Sequence, residues 1–116
     1  MPSVPNPGDI FDAVKTAASD IVQQDVTTLS PFVQDQLNRI EQNGILFAQM
    51  ELAGEFIDDP DRRREYLGIV EDLARNFVNT VRALIVVEIE KLWNAVVKVL
   101  WDVLDRATGL ALPRPL

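Results

Sequence analysis

The feature that most constrains the fold is the stretch between Pro60 and Pro113, which contains no proline and only two glycines, Gly68 and Gly109. Its apolar residues recur at helical spacing, and Gly109 is placed as a helix stop. The pattern predicts one helix over residues 60–107. At 1.5 Å per residue this helix is ~70 Å long, twice the width of a compact domain of this chain length. Such a rod must bend or project beyond the rest of the chain.

Three capping residues stand directly before a proline and predict helix starts. Asn, Ser and Asp accept hydrogen bonds from the free N–H groups of a first helical turn, and proline fits the first helical position. The pairs are Asn6–Pro7, Ser30–Pro31 and Asp59–Pro60. We therefore predict helix 1 over 7–29, helix 2 over 31–57 and helix 3 over 60–107.

Short connections between these helices favour antiparallel neighbours, so helices 1 and 2 are expected beside the first half of helix 3. Residues 1–6 and 109–116 are predicted to be extended. The predicted fold is all-α: one domain over 1–116, an antiparallel bundle of three helices with a long C-terminal helix. A chain of 116 residues has a thin core, because the share of surface buried on folding rises with chain length.

The second half of helix 3 has a wide apolar face. Its apolar residues fill an arc of roughly 200°, about double that of an ordinary amphipathic helix, and the arc is rotated by roughly a quarter turn from the stripe of the first half. Helices 1 and 2 end before they reach this face if helix 3 is straight, so other copies of the chain are expected to cover it and complete the bundle. The predicted interface consists of Ile89, Leu92, Trp93, Val96, Leu100, Trp101 and Leu104.

A monomeric arrangement competes with this one. Helix 3 would break near residues 76–80 and its second half would fold back as a fourth helix, although no glycine or proline there supports a turn. Trp93 and Trp101 would then be core residues rather than anchors in a protein interface. Anchoring at a lipid surface is a third role for them, which the net negative charge disfavours.

Composition excludes several functional classes. The chain has no His and no Cys, which excludes disulfides, imidazole or thiolate metal sites and Ser-His-Asp triads. Its net charge of -7 repels nucleic-acid phosphates, so no direct nucleic-acid binding is expected. Charged residues interrupt the most apolar stretch, 81–104, so no transmembrane segment is expected. We predict no catalytic residues and no cofactor.

Three glutamates, Glu51, Glu55 and Glu88, are the candidate metal ligands. Helical bundles hold di-metal sites on inward-facing Glu, usually together with His, which this chain lacks. The alternative is ion-paired surface, in which Glu55 lies near Arg62 and Arg63.

Two further charged groups are open to interpretation. The three successive arginines after Pro60 could clamp a phosphate or an acidic surface. Four acids flank them between Asp58 and Glu65, so a helix cap with local salt bridges is the simpler interpretation. Glu41 is expected to lie near Arg75.

These patterns favour a non-enzymatic helical assembly, scaffold or adaptor protein that self-associates through the C-terminal half of helix 3. One alternative is a ferritin-like, carboxylate metal-binding oligomer. The other is an acidic protein-binding module that imitates nucleic acid or occupies a basic groove through helices 1 and 2. Residues 1–9 lack a basic start and an apolar run, so we expect no secretory signal. We expect the protein in the cytoplasm or within a particle that assembles in the cytoplasm.

Overall fold

Four α-helices, joined by short connections, make up the computed structural model, which describes residues 2–115. Met1 and Leu116, the outermost residues of the two segments predicted to be extended, lie outside the described residues. The all-α prediction is confirmed, and no strand occurs in residues 2–115. The helices are α1 (Asp9–Val22), α2 (Pro31–Leu52), α3 (Pro60–Leu84) and α4 (Ile89–Thr108), with a 3-10 turn at Val26–Thr28. α1 packs against α2 and α4, and α3 packs against the same two helices.

The starts of α2 and α3 are those predicted from the sequence. The Ser30 hydroxyl accepts a hydrogen bond from the Phe32 N–H at 3.2 Å. The Asp59 carboxylate accepts one from the Arg62 N–H at 3.0 Å. Each cap satisfies a backbone donor that has no partner within its own helix. α2 ends at Leu52 rather than at residue 57, so Glu55 lies in the connection to α3.

α1 is shorter than the predicted helix 7–29, and its start is made differently. It begins at Asp9, after Gly8 with a φ of 93°, and no side chain next to it caps it. Instead, Glu41 of α2 accepts hydrogen bonds from the N–H groups of Gly8 at 2.7 Å and Phe11 at 3.3 Å. A carboxylate there also complements the positive end of the helix dipole. Glu41 therefore caps α1, and Arg75, near which it is expected from the sequence, forms its ion pair with Glu71 instead.

The single helix predicted over 60–107 is two helices in the structure. α3 ends at Leu84, and Ile85 is extended, with φ -147° and ψ 150°. The break falls at residues 85–88, after the 76–80 segment considered from the sequence, and needs no glycine or proline. Ile85, Val86 and Val87 are consecutive β-branched residues, whose side-chain rotamers are restricted in a helix. The longest dimension of the molecule is 43 Å instead of ~70 Å for an unbroken rod.

Folding back places the wide apolar face of α4 inside the same chain. Five of the seven residues predicted as an intermolecular interface have no solvent exposure at all: Leu92, Val96, Leu100, Trp101 and Leu104. Full burial of a large apolar side chain stabilises the fold by about 1.5–3 kcal/mol. A single chain therefore buries most of this face by itself, and no other copy is needed to cover it.

The segment after α4 is held against α4 of the same chain. Gly109 ends the helix as predicted, with a φ of 73°. The Trp101 Nε1–H donates to the Pro113 carbonyl at 3.0 Å, and Arg114 forms ion pairs with Asp102 at 2.8 Å and Asp105 at 2.6 Å. The bond to Pro113 satisfies the N–H group of the buried indole ring, and the ion pairs fix the segment that carries the accepting carbonyl.

Gly44 lets α1 and α2 approach each other closely. A Cβ atom at Gly44 would lie 2.6 Å from Cδ1 of Ile10. Ile10 is fully buried, so its terminal methyl group would have to shift within a packed core to relieve this contact. Packing therefore favours glycine at this position.

Candidate interaction surfaces

The two predicted interface residues outside the core, Ile89 and Trp93, line a small cleft between α3 and α4. The cleft has a volume of 220 Å³ and is also lined by Arg75, Asn79 and other residues. The Arg75 guanidinium carbon lies 4.5 Å from the centre of the Trp93 ring, a cation–π contact. The cleft is smaller than the ~300 Å³ at which ligand pockets begin. Arg75 and Trp93 therefore serve mainly to close the α3–α4 seam.

The candidate metal ligands lie apart, and each has a cationic partner. Glu51 receives two hydrogen bonds of 2.8 Å from Arg63. Glu55 lies 3.5 Å from Arg62, and Glu88 belongs to an exposed pair with the lysine one turn on. Among residues 2–115, no three His, Cys, Asp or Glu side chains are grouped so that they could hold a metal ion.

The arginines after Pro60 are engaged locally. The hydrogen bonds to Glu51, whose side chain is only 10% exposed, raise the pKa of Arg63. Arg62 pairs with Glu55, and Arg64 lies 3.1 Å from Asp61. All three guanidinium groups therefore have carboxylate partners of their own, as the interpretation of local salt bridges expects.

One end of the bundle carries an exposed apolar patch, which we call the end patch: Phe32, Ala83, Leu84 and Val86. Phe32 at the start of α2 is 73% exposed, Leu84 at the end of α3 is 48% exposed, and Val86 in the α3–α4 connection is 101% exposed. Phe32, Ala83 and Leu84 line one shallow groove of 450 Å³, and its remaining lining side chains are polar and uncharged. Val86 follows two residues after Leu84, so the patch continues into the connection.

A second surface is the α1–α4 groove, which has a volume of 590 Å³. Three alanines, Ala13, Ala17 and Ala95, form most of its floor together with Ile21 and Val99. The rim carries Asp12, Thr16 and Asp20 on α1 and Lys98 on α4. Lys98 already pairs with Asp102 at 3.3 Å. Neither Asp12 nor Asp20 has a cationic partner among residues 2–115, so the rim has unbalanced negative charge.

Comparison with protein-family models, curated proteins and solved structures finds no match for this chain. No helix within residues 2–115 combines the length and apolarity that a membrane crossing requires. Function therefore has to be argued from the surfaces themselves.

Neither surface was identified from the sequence, although both leave a signal there. Phe32 stands beside the apolar row of α2 that begins at Val33, so its ring points away from the core face. Asp12, Thr16 and Asp20 are spaced by four and form one polar row on α1. The partner helix that turns this row into the rim of a groove is α4, and only the fold-back brings α4 there.

Proposed function

We propose that the protein is a non-enzymatic helical assembly or adaptor protein, and that it pairs with a second copy of itself through the end patch. The observation that carries this proposal is the exposure of three large apolar side chains, Phe32, Leu84 and Val86, at one end of the bundle. Clustered exposed apolar surface is typical of interaction sites, whereas scattered exposed residues are normal.

The absence of charge in the groove of the end patch supports a second copy as the occupant. Two molecules of net charge -7 repel each other over most of their surfaces. The side chains lining this groove are uncharged, so two copies can meet here without bringing carboxylates together. A two-fold dimer is self-complementary, because the Phe32 ring of each copy faces the groove of the other copy, and Phe32 of that other copy lines the same groove.

The patch is small, which sets the strength of the association. Stable interfaces bury about 800 Å² on each partner, and four side chains at one end of the bundle provide less. We therefore expect dissociation constants in the micromolar range or above, with an interaction that high salt does not weaken.

Molar mass measured by light scattering or sedimentation over a range of concentrations tests the proposal. The mass should rise from 13.0 kDa towards twice that value as the concentration increases. The variants F32S and V86S should stay monomeric, with unchanged helicity. Ile57, 78% exposed at the opposite end of the bundle, provides the matched control, and I57S should associate as the unmodified protein does.

Two results would overturn the proposal. One is a mass that stays at the monomer value up to millimolar concentration. The other is an equal loss of association in I57S, because this would show that general surface apolarity and not the end patch drives it.

A further inference from the structure

We infer that the α1–α4 groove binds a basic amphipathic helix of another protein. This inference concerns a surface separate from the end patch and does not depend on self-association. It rests on three properties of the groove: the small residues of its floor, the unpaired acids of its rim, and its length.

The floor of the groove suits the close approach of a helix. Ala13, Ala17 and Ala95 are half-buried and leave the backbones of α1 and α4 accessible over this stretch. Helices pack with their axes about 8–10 Å apart, and the shorter separations need small residues at the contact. Ile21 and Val99 add larger apolar contacts. The floor therefore favours a partner with an apolar stripe of moderate size.

The rim selects the charge of the partner. Asp12 and Asp20 are exposed and lie on the α1 side, while the lysine on the α4 side pairs with Asp102, a carboxylate that it shares with Arg114. Electrostatic complementarity contributes chiefly to specificity and to the rate of association. Lys or Arg residues flanking the apolar stripe of a docked helix would pair with both carboxylates.

The groove is long enough for several helical turns. Asp20 follows Asp12 by two turns, roughly 12 Å along the axis. Ala13 also lines a second depression of 440 Å³, which continues between Asp9 and the N-terminal segment 3–6 on one side and Arg106 on the other, so the excess negative charge is confined to the part of the groove between Asp12 and Asp20. The combined length along α1 matches about three turns of a docked helix. The spacing predicts basic residues about two turns apart on the partner.

The test uses a fluorescein-labelled synthetic peptide with helical propensity, an Ala/Leu stripe and lysines two turns apart. Its binding is measured by fluorescence anisotropy on the F32S background, so that loss of self-association and loss of peptide binding are separate results. Removing both rim carboxylates in D12N/D20N should weaken binding about fivefold to tenfold. The variant D58N/E65Q removes the same charge from exposed positions at the α3 start and should bind as the parent does.

A second variant tests shape independently of charge. A95Q places a longer side chain on the half-buried floor and should abolish binding while the rim carboxylates remain. A peptide with the same composition but a scrambled apolar stripe should bind no better than D12N/D20N binds the ordered peptide.

Three results would overturn the inference. Equal weakening in D58N/E65Q would show that net charge alone attracts the peptide. Undiminished binding to A95Q would place the peptide elsewhere. A molar mass of the F32S protein that rises with concentration and returns to the monomer value when the peptide is added would show that the groove accepts another copy of this chain instead of a basic helix.

Discussion

Replacing Gly44 by alanine tests the packing of α1 on α2 directly. The added Cβ would lie 2.6 Å from Cδ1 of Ile10 and 3.7 Å from Cδ2 of Leu104. The first distance is too short for two carbons, whereas the second is an ordinary contact. Relieving such a clash in a full core costs about 1–3 kcal/mol. The higher helix propensity of alanine offsets about 0.5–1 kcal/mol of this cost, so the net loss of unfolding free energy should be about 0–2.5 kcal/mol.

The clash involves one methyl group, and a double-mutant cycle isolates it. Ile10→Val removes the Cδ1 atom and alone should lower the unfolding free energy by about 0.5–1.5 kcal/mol. In the double variant G44A/I10V the alanine methyl occupies the vacated space. The combined loss should therefore be smaller than the sum of the two single losses by about 1 kcal/mol or more.

Urea unfolding followed by far-UV circular dichroism provides the free energies. Gly68→Ala is the matched control, because Gly68 is also within a helix but a Cβ there meets nothing within 4 Å. That variant should be more stable by about 0.5–1 kcal/mol. Additivity of the G44A and I10V losses within about 0.5 kcal/mol would refute the proposed contact.

Three further predictions follow from the core and its charges. Leu100→Ala should lower the unfolding free energy by about 2–5 kcal/mol and leave self-association unchanged; a lower mass with unaltered stability would contradict the core assignment. Glu51→Gln should cost about 1–2 kcal/mol, because it leaves the partly buried Arg63 without its charged partner; thermal melting measures this, and an unchanged melting temperature would argue against it. The hydrogen bonds from the side chain and backbone of Thr27 lower the pKa of Asp25, so its contribution to stability is present above the unfolded pKa of about 3.9 and is lost as the pH falls through the lower folded value. Asp25→Asn should flatten the acid side of a plot of melting temperature against pH, and an unchanged slope would refute this.

Local signals in the sequence identify helix starts and stops where the cap is adjacent in the chain. Ser30 and Asp59 cap the helices that follow them, and Gly109 ends the last one. The start of α1 was misplaced because its cap, Glu41, comes from another helix. No local pattern contains this information, since the contact exists only once α1 has docked on α2.

The sequence offers the fold-back as the competing monomeric arrangement, but it places the break near residues 76–80 and not at 85–88. A search for glycine or proline does not detect a run of β-branched residues, and Ile85, Val86 and Val87 form such a run. The rotation of the apolar arc between the two halves was a second signal of the same break. A reversal of the chain between two helices explains this rotation as well as different neighbours along one straight helix do. The α1–α4 groove is created by the reversal and could not be placed without it, whereas the groove of the end patch is formed by α2 and α3.

The stability of α1 depends on its contacts with neighbouring helices. α1 has 14 residues, about the length at which isolated helices are marginal in water, and its first turn borrows Glu41 from a neighbour. It therefore depends on its packing against α2 and α4 to remain helical. Because Asp12 and Asp20 lie on α1, the α1–α4 groove exists only while α1 is docked on α4.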